Sequence, residues 1–174
     1  MTTTSPTLGS RIRVLLGAVL STRTAPRVAD VGLLIVRLTL AFIFIYHGSR
    51  RLFGWFDGPG LDGSADYFAQ TAHLHPGMAF AVLSGVIEFF GGIALLFGFF
   101  SRLAGAAIFG DMMMAIITVT HANGLNATGG RAGYELNLAL GMLALVPAVF
   151  GSGRFSIDAL LERRWLNAGA PSTG

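Results

Sequence analysis

An all-α integral membrane bundle of four helices, with an amphipathic lid between the first two, is the fold this sequence predicts. Three observations predict it. The chain of 174 residues is 53 % hydrophobic and only 12 % charged, about half the charged fraction of soluble domains. Four apolar runs, near 30–48, 77–99, 102–120 and 133–150, are each close to the length of helix that covers roughly 30 Å of hydrocarbon. The second and third runs are joined by so short a connection that they must form an antiparallel hairpin.

Composition also narrows the chemistry. With no cysteine, disulfides, Fe–S clusters, thiolate metal sites and dithiol redox motifs are excluded, so redox chemistry would need a bound cofactor, a quinone or a partner protein. The net charge is +3 and every basic residue is arginine. In so apolar a chain that excess reads as membrane topology and lipid contact, not nucleic-acid binding.

Residues 1–29 are polar, with Arg11, Arg13, Arg23 and Arg27. They read as a cytoplasmic tail in which Val14 to Leu20 is too short to span and suits an interfacial helix. The transmembrane domain is assigned to 30–150 and a second cytoplasmic tail to 151–174. Asp30 is a reasonable N-cap for the first span, which carries Arg37 inside it and ends at His47-Gly48. Residues 49–76 combine Arg50 and Arg51 with Phe53, Trp55 and Phe56, a turn at Gly58-Pro59-Gly60, and an amphipathic stretch from Ser64 to Leu74. Arginines mixed with aromatics suit the headgroup layer, so this segment is expected to lie over the bundle. The second span holds Glu88 and Gly91-Gly92, the third Asp111 and the run Met112-Met113-Met114, and the fourth opens with Tyr134, Glu135 and Asn137. The methionines read as packing, since consecutive helical residues point different ways. The glycines at 91, 92, 105 and 110 read as sites of close helix contact. The N-tail, Arg102 and the C-tail hold eight arginines against three in the opposite loops, which places both termini in the cytoplasm.

The buried polar residues are expected in two layers. At 1.5 Å per residue, Arg37 lies roughly 10 Å in from the cytoplasmic end and Asp111 roughly 13 Å, with Glu88 near mid-membrane. A guanidinium in hydrocarbon needs a partner, so Arg37 is expected to pair with Glu88 or Asp111. With two acids and one arginine, the unpaired acid is a candidate proton carrier. The outer layer gathers His47, His121, Glu135 and Asn137, with His73 and His75 beside it as solvated loop residues. His47, His121 and Asn137 are candidate quinone contacts, and Glu135 and Glu88 candidate proton carriers. Against this, the two histidines at helix ends could simply bond terminal carbonyls, and Arg37 with its acid could simply lock helix register. No metal site is expected.

The ordered set of short motifs resembles the DoxX family of small bacterial membrane proteins over about Val31 to Leu161. The resemblance rests on His47-Gly48 with Leu52-Phe53-Gly54, the turn from Gly58 to Gly63, and Glu88 with Gly91-Gly92 and Gly98. It continues through Arg102, His121-Ala-Asn123-Gly124 and Gly133-Tyr134-Glu135 to Gly151-Ser-Gly153-Arg-Phe-Ser-Ile-Asp158. Arg51 departs from the family, which usually carries lysine there, keeping charge but removing an amine able to release a proton. The resemblance implies a four-helix bundle in the bacterial plasma (inner) membrane with redox associations: thiosulfate:quinone oxidoreductase, terminal quinol oxidase and, in mycobacteria, a complex with superoxide dismutase and a sulfurtransferase. It implies no single catalytic mechanism. The leading expectation is therefore a membrane subunit of a redox system, an oxidoreductase component that binds quinone in the outer layer. Its partners would be the lipid bilayer, soluble redox proteins and further copies or subunits. Haem held by His47 and His121 is the weaker cofactor reading, since nothing like C-x-x-C-H is present. A non-catalytic scaffold that recruits soluble partners is the alternative, and a small-solute or proton pathway the third.

Overall fold

The computed structural model describes residues 26–126 and 132–168. The readings of the N-terminal tail before Pro26, including the interfacial helix at Val14–Leu20, and of loop residues 127–131 lie outside the described residues.

Among the described residues the chain is all helix and turn. Helix α1 spans Pro26–Phe53, α2 Gly60–Gln70, α3 Gly77–Phe97, α4 Ser101–Ala115, α5 Glu135–Phe150 and α6 Ile157–Ala168. Helix α4 runs on into a π turn, Ile116–Thr120, and a 3₁₀ turn, His121–Asn123. Helices α1 and α3, and α4 with its terminal turns, are each long and apolar enough to cross a membrane, while α5 is a shorter apolar helix of 16 residues. Side chains such as Phe42, Leu103, Ile117 and Phe150 stand on the outside of the bundle. Such an apolar outer surface is what a lipid solvent requires and water would penalise.

Why α1 is the central helix is visible in its periodicity. Arg37, Leu40, Ala41, Phe44 and Gly48 are all buried, a stripe at the 3.6-residue repeat. That stripe meets α3 in antiparallel register: Gly92 faces Ala41 and Ile45, Gly48 faces Phe89, and Gly85 faces Leu52 and Arg51. A Cβ at Gly48 would collide with the Phe89 backbone, so glycine there sets how closely the helices approach. Gly105 does the same for α4 against Ala144 and Ala148 of α5. Gly110 departs from the expectation: nothing lies within 4 Å of where its Cβ would be, so it is no packing site.

Phe44, Leu95, Ile108 and Ala144 join four helices in one core. A second cluster, Phe68, Ala72 and Ala81, seats α2 across the end of the bundle beside Met114 and Val119. The expected lid is thus a helix, lying four residues earlier than Ser64–Leu74. The first span is longer than expected at both ends. It begins at Pro26, not at an Asp30 cap, and continues through Arg50 and Arg51, which sit in its last turn and not in a loop. The Asp30 carboxylate instead accepts from the Arg154 amide at 3.0 Å.

The segment after α5, assigned to the C-terminal tail, packs on the bundle through Ser152 to Asp158. Asp158 accepts from the amides of Phe100 at 2.9 Å and Ser101 at 3.2 Å, and from the Ser152 hydroxyl at 3.2 Å. It therefore caps the N-terminus of α4 from another element, satisfying amides that α4 cannot pair itself. Ser156 caps α6, its hydroxyl accepting from the Ala159 amide at 3.1 Å.

Candidate functional site

Each long helix carries polar side chains inward, and the structure sorts them into two sites at opposite ends of α1. At one end Arg37 is 1 % exposed. Its Nε donates to the Leu95 carbonyl at 2.9 Å and its Nη2 to the Leu96 carbonyl at 3.3 Å. Its Nη1 donates to the carbonyls of Ser152 at 2.5 Å and Phe155 at 3.0 Å. Leu95 and Leu96 belong to the last turn of α3, whose carbonyls lack the usual i+4 amide; the Leu95 carbonyl also accepts from the Gly98 amide at 3.2 Å. The expected ion pair of Arg37 with Glu88 or Asp111 is therefore not formed. The reason is register: antiparallel packing places Arg37 level with the end of α3, and Glu88 level with the other end of α1.

At that other end Arg51 takes Glu88. Arg51 Nε lies 3.1 Å from Glu88 Oε2 and Nη2 lies 3.1 Å from Oε1, a two-pronged geometry that suits a planar guanidinium and carboxylate. Glu88 is 3 % exposed. The Arg51 guanidinium also lies 5.2 Å from the centre of the Phe68 ring, so the lid helix rests on the ion pair through a cation–π contact.

The pair borders a pocket of about 260 Å³ beneath α2, enclosed by α1, α3, α4 and α5. Its polar lining includes His47 and Arg51 from α1, Ser84 and Glu88 from α3, Asp111 from α4 and Asn137 from α5. Phe44, Phe68, Met112 and Leu140 supply apolar wall. The π turn of α4 adds Thr118, Val119 and Thr120, and Asn137 Nδ2 donates to Thr120 Oγ1 at 3.4 Å. Such an interruption of the helical ladder is a recurrent feature of functional sites. A second cavity of about 290 Å³ adjoins the first and shares His47, Arg51 and Tyr67 with it. Those three side chains line both cavities.

Of the expected site residues, the structure brings together His47, Glu88, Asp111 and Asn137. His121 and Glu135 are exposed and line neither cavity. The 3₁₀ turn carries His121 past the end of α4, and Glu135 sits in the first turn of α5, two residues before the one that faces inward. Arg51 is the pocket-lining residue absent from the expected site. A signal existed, since His47 and Arg51 are four apart on a helix and Arg51 continues the stripe of Arg37, Leu40, Phe44 and Gly48. The π turn had no comparable signal.

Comparison with known proteins bears on this arrangement. The family model described as DoxX matches residues 32–121, which contain Arg37, His47, Arg51, Glu88 and Asp111. A curated relative, the inner membrane protein YqjF of Escherichia coli strain K12, is 28 % identical over 141 residues, covering 80 % of this chain and 98 % of its own. No solved structure matches.

Proposed function

The chain belongs to the DoxX family of membrane proteins, and on that premise we propose that it is a membrane subunit of a redox system that binds a quinone headgroup in the pocket beneath α2. The observation that carries this reading is the pocket's layout. Apolar walls from Phe44, Phe68, Met112 and Leu140 are interrupted by hydrogen-bonding side chains on different helices, His47 on one and Asn137 with Thr120 on others. A quinone needs an apolar slot with a hydrogen-bond donor for each carbonyl, and ligand sites generally have this mixed character. At about 260 Å³, the inner pocket suits a single substituted ring, with its lipid tail left in the bilayer. In this reading His47 and Asn137 orient the ring. Glu88 accepts two hydrogen bonds from Arg51 and positions that guanidinium, and Glu135 has no part.

The protein would act in the inner membrane of a bacterial cell with both termini in the cytoplasm, as its arginine distribution favours. The Ser152–Asp158 segment and the Arg37 site would then lie at the cytoplasmic face, and the lid and pocket at the opposite face.

The test is binding of a short-chain benzoquinone to the purified full-length protein in lipid nanodiscs. His47→Ala and Asn137→Ala should each weaken binding about fivefold, as loss of one hydrogen bond of about 1 kcal/mol requires. His121→Ala and Glu135→Gln should leave it unchanged. Unaltered binding in both pocket variants, or no binding by the wild type, sinks the proposal.

A further inference from the structure

The pocket holds two carboxyl groups and one arginine, and the arginine's hydrogen bonds go to only one of them. Both prongs of Arg51 are engaged with Glu88. Asp111 is 6 % exposed and lines the same pocket, and among the described residues no cation stands within ion-pairing distance of it. Ser84, 2 % exposed, approaches its carboxyl from α3. A buried acid facing a cavity with no cation of its own is free to gain or lose a proton in response to what fills the cavity. Glu88 is committed instead, both of its oxygens being held by Arg51.

We propose that Asp111 is the proton-exchanging residue of this pocket, holding a proton against a bound quinone carbonyl and giving it up when a hydroquinone hydroxyl takes that place. The inference rests on the quinone reading above and adds a residue and a redox-state dependence to it. An ionised carboxylate only accepts hydrogen bonds, and so does a quinone carbonyl. The two can be neighbours only with a proton between them. Binding quinone to ionised Asp111 therefore draws one proton from solvent onto a carboxylate oxygen, and the resulting O–H donates to the carbonyl. A hydroquinone brings its own O–H, which donates to the ionised carboxylate, so no proton is taken up. No electrons move in either binding step.

The titratable groups facing the pocket are His47 and Arg51 from α1, Tyr67 from α2, Glu88 from α3 and Asp111 from α4, while α5 contributes Leu136, Asn137 and Leu140, none of which titrates. Histidine is the residue type that can exchange a proton near neutral pH, so the test must separate His47 from Asp111.

The experiment measures protons exchanged on binding, by calorimetry in buffers of different ionisation enthalpy between pH 7 and pH 9. The full-length protein in nanodiscs is titrated with a short-chain benzoquinone and, anaerobically, with its reduced hydroquinone. The expected result is that quinone binding takes up protons and loses affinity about tenfold per pH unit once Asp111 is ionised. Hydroquinone binding should show neither effect. Asp111→Asn should abolish the uptake, while His47→Asn should weaken binding but keep it. Quinone binding without proton uptake in the wild type, or uptake that survives Asp111→Asn, overturns this inference and leaves the quinone reading intact. Failure of both probes to bind the wild type overturns both. Should Asp111→Asn not fold, the contrast between the two probes on the wild type decides the question.

Discussion

Arg37 and Arg51 lie on one face of the same helix, about 21 Å apart along its axis, and are satisfied in different ways. Arg37 is enclosed by four backbone carbonyls from the end of α3 and the segment after α5. Its charge sits against helix-terminal carbonyls, which favour a cation, and every partner is part of the fold. Arg51 meets a carboxylate, stands beside a second acid, and borders a cavity shared by four helices and a lid. The first arrangement joins α1, α3 and the C-terminal segment through backbone carbonyls, and the nearby acid, Asp158, is taken up by the amides of Phe100 and Ser101. The second leaves a carboxyl and open volume. On the proposed function, the difference separates a structural from a chemical use of the same residue type: an arginine bonded by carbonyls holds helices together, whereas one paired with an acid at the edge of a cavity belongs to the proposed site.

The largest expected effect is at Arg37. Arg37→Met should remove the side-chain donor from the Leu96, Ser152 and Phe155 carbonyls, at about 1–3 kcal/mol for each that water cannot reach, while the Leu95 carbonyl keeps the Gly98 amide. Thermal unfolding in detergent should show a large loss of stability and detachment of the Ser152–Asp158 segment. A variant as stable as the wild type would end the structural assignment. Next comes Glu88→Gln, which weakens the paired hydrogen bonds to the Arg51 guanidinium and should cost about 2 kcal/mol. The double variant Arg51→Met with Glu88→Leu should recover most of that stability while failing to bind quinone. Recovery of binding as well would mean that the pair plays no part in the site. Smallest is Asp158→Asn, which weakens a cap worth about 1 kcal/mol and should lower the unfolding midpoint slightly with quinone affinity unchanged. A change in affinity there would show that the two ends of α1 are coupled.

The partner of Arg37 was the least legible feature of the chain. Sequence reasoning searched for a carboxylate because side chains are what a sequence displays. The acceptors turned out to be carbonyls, which every residue carries, so nothing in the letters distinguishes Leu95 or Ser152 as a partner. The pocket was partly legible. His47, Glu88, Asp111 and Asn137 stood out as polar residues within or beside apolar helices, where such groups face the bundle interior. His121 and Glu135 stood out for the same reason and were misplaced, because one more turn of chain or a rotation of two residues carries a side chain out of a site. Arg51 was hidden by an early end assigned to α1, although its helical stripe ran on.

Sequence alone determined the membrane address, the all-helical class, the approximate helix limits and the α3–α4 hairpin. These follow from local apolar content and from the length of hydrocarbon a helix must cross. Only the tertiary structure decided which polar residues meet. That depends on the register and rotation of one helix against another, set by contacts such as Gly48 on Phe89 and Gly92 on Ala41. A shift of a few residues in that packing would leave the same sequence signals in place and match Glu88 with a different arginine.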